Sequence, residues 1–311
     1  MGLFTARPVA RRRHAARLLA LPLAAALLSA CTATPSGTVS SGLPDPQSLA
    51  TSIPEVTAAP SGTADTATQV QVYWIGRTGG NAYLFSEPSK VGAGDDPVTA
   101  ALKVMMAQKP QDPDYFTAWQ APHRLAASIS GVSTITVDVS ADAFSKNLDP
   151  SMAKRAMQQL VFTAVSAARA SGMVDSSAEP DVVLLIDGRN DVQAFGSIPL
   201  NLSFHRDAAF LSPVRITVPQ DEAVLSSGTL TFSGVVLGGR KDVSWSVAPA
   251  GSPAGQDVLS SSRITLTPTE DNVGQFKSRV ELPKGKFELT VTTTVPGASQ
   301  PVQDSKTITI R

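Results

Sequence analysis

The hydrophobic pattern of this chain changes period once, at Pro213, and that change limits the folds open to it. Upstream, stretches with an apolar residue at every second position alternate with stretches whose apolar residues recur at i, i+3, i+4 and i+7. Downstream only the two-residue period is left. A helix must cover its apolar stripe with a sheet or another helix, whereas two sheets can cover each other. The pattern therefore predicts an α+β domain over 69–212, a mixed sheet with two helices on one face, followed by an all-β domain over 213–311. In the first, 70–75 is β-branched and aromatic, Gly79-Gly80 turns the chain, and 82–85 returns as a second strand. Asp95-Asp96-Pro97 opens a helix, with a capping carboxylate before a residue whose φ is already helical. Val98, Ala101, Leu102, Met105 and Met106 form its buried stripe, and Pro110 stops it. A hairpin follows over 124–130 and 132–140, around Gly131. Asp149-Pro150-Ser151 opens a second helix with the stripe Met152, Ala156, Leu160, Ala164 and Ala168, widened by Met157, Val161 and Val165 and closed at Gly172. The nearly all-apolar run 181–186 reads as the central strand, and Asp187-Gly188 as a type I′ turn into 191–195.

After Pro213, strands are predicted at 215–218, 230–237, 243–247, 275–282, 286–295 and 306–310. Short strands at this spacing, with turn residues between them, predict a β-sandwich of immunoglobulin type. Phe232, Trp245, Phe276, Leu289 and Ile308 are its expected core. The chain has one Cys, so no disulfide can back the tryptophan. Trp245 is left to pack on aliphatic residues.

That one cysteine sits at a telling place. Residues 1–30 carry five arginines and no acid, then the apolar run 18–28, then Leu28-Ser29-Ala30-Cys31. A basic start and a short apolar run make a secretory signal, too short to span a bilayer. Small residues before a lone Cys at the end of such a run resemble a bacterial lipobox. That resemblance implies cleavage after Ala30, acylation of Cys31, and attachment to membrane lipid through it. Arg11-Arg12-Arg13 has flanks that suit twin-arginine export poorly, so general secretion is expected. Residues 32–68 are rich in Ser, Thr, Ala, Pro and Gly and have no aromatic residue. They read as a disordered linker with a mean reach of about 30–35 Å.

Between the linker and Pro213, several short stretches are similar to the GerM-type sporulation and spore-germination domain (GerMN). They are Val72-Tyr73-Trp74, the helix Pro97 to Leu102, Ala121-Pro122 before the hairpin, and Ile135 to Ser140 followed by Phe144. Gln159-Leu160-Val161-Phe162-Thr163, Leu184 to Gly188 and Pro199-Leu200 complete the set. Residues 214–311 resemble the immunoglobulin-like Gmad2 module, through Ile216-Thr217-Val218-Pro219, Leu230 to Gly234 and Gly274-Gln275-Phe276. The resemblance implies an extracytoplasmic, non-catalytic domain that works as a structural part of an envelope complex, with other envelope proteins as partners.

Charge and chemistry agree with that expectation. Lys+Arg and Asp+Glu both number 26, and removing 1–30 lowers Lys+Arg to 21, a mature net charge of −5. Nucleic acid is not expected as a partner, because phosphate binding needs a basic excess. Ser151-Met152-Ala153-Lys154 matches the S-x-x-K nucleophile motif, but its companions fail. Ser145-Lys146-Asn147 lies on the wrong side of it, and Lys306-Thr307 is followed by Ile308 instead of Gly. Two histidines remain in the mature chain, His123 and His205, and the acidic pairs sit at turns and helix starts. No catalytic residue, metal or cofactor is expected. Tyr115, Phe116 and Trp119 are the candidate ligand contacts, should the chain instead bind a cell-wall glycan or small ligand.

Overall fold

In the computed structural model, β1 (Thr68–Thr78) and β2 (Asn81–Val91) pair antiparallel along their whole length across Gly79-Gly80. Both glycines have positive φ, 62° and 76°, as a tight hairpin of this hand requires. The described residues are 67–92, 96–131, 133–144, 148–175, 177, 179–268 and 272–311, and Gly62–Arg311 is one compact unit. The signal 1–30, most of the linker, Asp95 and Ser145-Lys146-Asn147 lie outside the described residues.

Helix α1 (Pro97–Ala107) begins as its sequence predicts, with the Asp96 carboxylate accepting from Thr99 N at 2.7 Å. The strand β3 (Tyr115–Phe116) then pairs with β1, and β4 (Leu125–Ser130) with β5 (Thr134–Val139). Helix α2 (Pro150–Ala170) is capped by Asp149, whose Oδ1 accepts from Ser151 N and Met152 N at 2.9 and 3.0 Å. At its other end Gly172 takes φ 68°, with Met173 N on Ala168 O and Gly172 N on Arg169 O, a Schellman close. The predicted stripes of both helices are buried. After α2 come β6 (Asp181–Ile186), β7 (Gln193–Ala194) and β8 (Ile198–Pro199).

Two expectations for this half need correction. The strands form two three-stranded sheets, β2-β1-β3 and β4-β5-β6, and the two-stranded β7-β8, in place of one mixed sheet. Within the second, the central strand is β5, antiparallel to β4 and parallel to β6. β6 lies at the edge, where Phe204 bridges to Val182. Its apolar run suggested cover on both faces, but only Val182 and Leu184 are fully buried, and Val183, Leu185 and Ile186 are half-buried. The turn after it is as expected, with Asp187 and Gly188 at φ 51° and 77°.

Helix α2 also completes β1. β3 covers only Ile75 and Gly76 on that side of the strand, which leaves the outward N–H and C=O of Tyr73 without a strand partner. Thr163 Oγ1 accepts from Tyr73 N at 3.1 Å, and Gln159 Nε2 donates to Tyr73 O at 2.9 Å. Both side chains are fully buried, and an unmet backbone group there would cost about 1–3 kcal/mol. Thr99 of α1 does the same for β4, accepting from Ala127 N at 3.0 Å.

The second half begins with β9 (Val214–Val218), β10 (Ala223–Leu225) and β11 (Thr229–Val236). It continues with β12 (Val243–Pro249), β13 (Ser260–Arg263) and β14 (Thr267–Pro268). β15 (Gly274–Glu281), β16 (Gly285–Thr293) and β17 (Val302–Ile310) complete it. They form the sheets β10-β17-β16-β12-β13 and β14-β15-β11-β9, a β-sandwich. All five expected core residues are buried. Trp245 does not pack on aliphatic residues alone: the Phe232 ring meets it edge-on at 5.2 Å, because β11 and β12 face each other from opposite sheets. Among the described residues, no helix is long and apolar enough to cross a membrane.

Candidate functional site at the junction of the halves

Ala30 and Cys31 lie outside the described residues. The three aromatic candidates are described, and they part company. Tyr115 is buried, its ring stacked on Phe85 at 4.6 Å. Phe116 is half-buried with the Arg77 guanidinium 5.5 Å from its ring centre. Trp119 is buried between Phe144 and Phe195, with its Nε1 donating to Ala156 O at 2.9 Å. They form no shared exposed platform.

The other singled-out residues are also spread apart. Ser151 Oγ accepts from the Arg155 guanidinium, and the helix cap is Asp149, not Ser151. His123 lies on the surface against Asp142, and His205 against Asp181 at 3.2 Å. No group of three or more His, Cys, Asp or Glu is placed to hold a metal ion among the described residues.

What the fold does bring together is a set of charges the sequence reading passed over. β17 carries Asp304 and Lys306 into the junction between the halves. From the first half, β2 supplies Glu87, the segment after α1 supplies Asp112, and β3 supplies Tyr115. Lys306 Nζ donates to Asp112 Oδ2 at 2.5 Å, to Tyr115 Oη at 2.7 Å and to Asp304 Oδ1 at 3.2 Å. Tyr115 Oη in turn donates to Asp304 Oδ1 at 2.7 Å. The other oxygen of Asp304 accepts from Ile216 N at 2.6 Å. Glu87 accepts from Gln111 N and Asp112 N at 2.9 and 2.7 Å. Asp221, in the turn after β9, accepts from Thr307 N at 2.7 Å, while its Oδ2 is buried without a partner among the described residues. The Asp112, Asp304 and Lys306 side chains are each no more than 3% exposed.

Four carboxyls thus lie buried near one ammonium, which bonds two of them, Asp112 and Asp304. Burial pushes Glu87 above the usual carboxylate range, against the pull of the Asp112 and Gln111 amides. It pushes Asp304 up as well, against Lys306, and Asp221 up against the Thr307 amide. It also raises the Tyr115 hydroxyl well above its ordinary value, with the Asp304 charge adding to it. For Lys306 burial works against the charge, but the Asp304 and Asp112 carboxylates outweigh it and the ammonium is held.

Beside the cluster the Gly79-Gly80 tip packs on the start of β17 and the residues just before it, with Thr78 Oγ1 accepting from Gln303 N at 2.8 Å. A Cβ on Gly79 would lie 2.6 Å from Val302 Cγ2, so the close approach requires glycine. An open cleft of about 810 Å³ flanks this contact, lined by Arg77, Asn81, Arg155, Gln300 and Gln303 among others. Arg155 is already committed within it, to Ala82 O, to Asn81 Oδ1 and to Ser151.

No family model matches the chain, and no curated protein matches it. Among solved structures, it is similar to the tandem GerMN domains of the sporulation protein GerM from Bacillus subtilis, at 13% identity and a TM-score of 0.35. That likeness covers 49% of this chain and 50% of that one, half of its length. Fibronectin(III)-like modules of Clostridium thermocellum CbhA align at 16% identity and a TM-score of 0.22, over 32% of this chain and 95% of theirs. An engineered protein aligns at 19% identity and a TM-score of 0.23, over 38% of this chain and 26% of its own.

Proposed function

We propose that the chain is a lipid-anchored protein on the extracytoplasmic face of the cell membrane. It acts as a non-catalytic scaffold or interaction module within an envelope protein complex. Its first half is a GerMN-like domain over 69–212 and its second an immunoglobulin-like, Gmad2-like domain over 213–311. The observation that carries the reading is how the two halves are joined. The buried ionisable side chains, the groups an enzyme would gather in a cleft, are committed to each other across the junction. The Lys306–Asp112 and Tyr115–Asp304 bonds tie the two halves to each other within one compact unit. Placed behind Cys31 and the linker, such a body is a spacer carried off the membrane, whose partners meet its surface. The alternative, a module for cell-wall glycan or a small ligand, draws support from the cleft beside Gly79-Gly80.

Cys31→Ala is expected to move the protein from the membrane fraction to the medium, or to leave it unprocessed. A processed Cys31→Ala protein that still fractionates with membrane overturns the anchor. For the non-catalytic role, a deletion strain complemented with Ser151→Ala, His123→Ala or His205→Ala at wild-type level is expected to be fully rescued. Loss of rescue by a well-folded Ser151→Ala protein, or covalent capture of Ser151 by a β-lactam probe, points to a hydrolase instead.

A further inference from the structure

The first half carries six arginines, and four of them sit against carboxylates. Arg124 meets Asp187 at 3.1 Å, Arg189 meets Asp191 at 3.0 Å, and Arg169 and Arg206 meet Glu179 at 3.1 and 2.6 Å. The other two, Arg77 and Arg155, have no carboxylate partner among the described residues, and both line the cleft of about 810 Å³ beside Gly79-Gly80. Each is steadied by an aromatic ring instead, Arg77 at 5.5 Å from the centre of Phe116 and Arg155 at 6.0 Å from that of Phe210. Arg155 gives four of its five N–H groups to neutral oxygens. They are Ala82 O at 2.6 Å, Asn81 Oδ1 at 2.7 Å, Ser151 O at 3.0 Å and the Ser151 hydroxyl. Those bonds fix the guanidinium in place and leave its charge unanswered. The Arg77 side chain is exposed and makes no hydrogen bond among the described residues. One acid lines the cleft, Asp149, and its Oδ1 is taken by the Ser151 and Met152 amides. The cleft is therefore locally cationic in a mature chain of net charge −5.

We propose that this cleft binds an acidic saccharide, whose carboxylate or phosphate groups go to the two guanidiniums and whose hydroxyls go to the amides around them. A guanidinium fork matches either anion in two parallel bonds. The amides come from both halves. Asn81 keeps its Nδ2 unbonded, and the side chains of Gln300 and Gln303, across the cleft, are exposed with no hydrogen bond among the described residues. A primary amide both donates and accepts, as a sugar hydroxyl does. A peptide suits the cleft less well. The edge of β2 is closed there by Arg155 on Ala82 O and by Ser212 N on Leu84 O at 2.9 Å, so no strand can be added to it. The cleft wall also has no aromatic residue to seat an apolar side chain. The proposal rests on the reading of this cleft as a ligand site, and the scaffold role stands apart from it.

Calorimetric titration of the whole mature chain at low salt tests this with three probes. They are a tetrasaccharide of alternating N-acetylglucosamine and N-acetylmuramic acid, a phosphorylated oligomannoside, and neutral chitotetraose. An acidic probe is expected to bind about tenfold or more tightly than the neutral one, and to lose that advantage in high salt. Whether the carboxylated or the phosphorylated probe binds tells which anion the arginines take. Arg77→Gln is expected to weaken the acidic probe by about tenfold and leave chitotetraose unchanged. Arg77→Lys, which keeps the charge and loses the fork, is expected to fall between. Arg279→Gln, on the exposed face of β15 and away from the cleft, is expected to change nothing. Equal affinity for acidic and neutral probes overturns the acidic class and leaves the cleft a ligand site. Absence of binding by all three at millimolar concentration overturns both. Undiminished binding of the acidic probe by Arg77→Gln, or an equal loss in Arg279→Gln, overturns the placement in this cleft.

Discussion

Phe232→Ala is expected to lower the unfolding free energy by about 3–5 kcal/mol, the range for removing a buried aromatic ring from a packed core. Phe232 is 0% exposed, in the middle of β11, and its ring lies edge-on to Trp245 at 5.2 Å and to Phe276 at 6.4 Å. Those three rings pack on one another in the sandwich core, and one Cys in the chain leaves the sandwich no internal disulfide to brace it. Deleting the ring leaves a cavity between the sheets that neither Trp245 nor Phe276 can fill without leaving its own neighbours. For a folded unit of this size the loss corresponds to a fall in Tm of roughly 6–20 °C. Phe232→Leu keeps most of the volume and is expected to lose less than half as much. Denaturant unfolding at fixed pH measures both. An Ala variant within about 1 kcal/mol of the wild type would mean that the sandwich core does not centre on this ring.

The legible parts of this fold were those with an uninterrupted period. Both helices announced their starts through Asp96-Pro97 and Asp149-Pro150, and their buried faces through residues three and four apart. The sandwich core showed as aromatic and aliphatic residues at alternate positions. Three strands of the sandwich are not legible in the sequence, Ala223–Leu225, Ser260–Arg263 and Thr267–Pro268. They are short, mostly exposed, and serine-rich in one case, so they carry no period to detect. Sheet membership was not legible either, since the apolar run of β6 has the same composition at an edge as at a centre.

The junction was missed for a more instructive reason. The sequence predicts the last strand from Lys306, where the apolar alternation resumes, yet β17 begins at Val302. Val302, Asp304, Lys306, Ile308 and Ile310 all lie on its buried face. A charge of each sign, two residues apart and in phase with the core, was the available signal. It looked like the end of a strand because solvated charges usually are. Glu87 was lost in the same way, in phase with Phe85 but beyond the predicted end of its strand. In both strands the charges continue the core-facing row; Lys306 and Asp304 find partners in Asp112 and Tyr115 of the other half, and Glu87 finds its own in the Gln111 and Asp112 amides.

Trp119→Ala carries the second large expected effect, again about 3–5 kcal/mol, and it separates a structural from a ligand-binding role for the aromatic segment. The indole is 4% exposed, wedged between Phe144 and Phe195 with ring centres 5.1 and 5.0 Å away, and bonded to the Ala156 carbonyl of α2. It therefore pins the segment after β3 to α2 and to the β7–β8 turn. In that turn Phe195 holds a φ of 52°, a conformation that favours Asn or Gly, followed by Gly196 at 71°. The ring contacts with Trp119 and Phe144 hold Phe195 there, so removing the indole also frees a strained residue. Trp119→Phe keeps a ring but loses the hydrogen bond to Ala156 O, and is expected to cost about 1–3 kcal/mol. Urea unfolding of the two variants, beside binding of soluble cell-wall fragments to each, reads the two roles separately. A structural role predicts that stability falls in the order wild type, Phe, Ala. A Trp119→Ala protein of unchanged stability that has lost binding to the fragments would show that the indole serves a ligand.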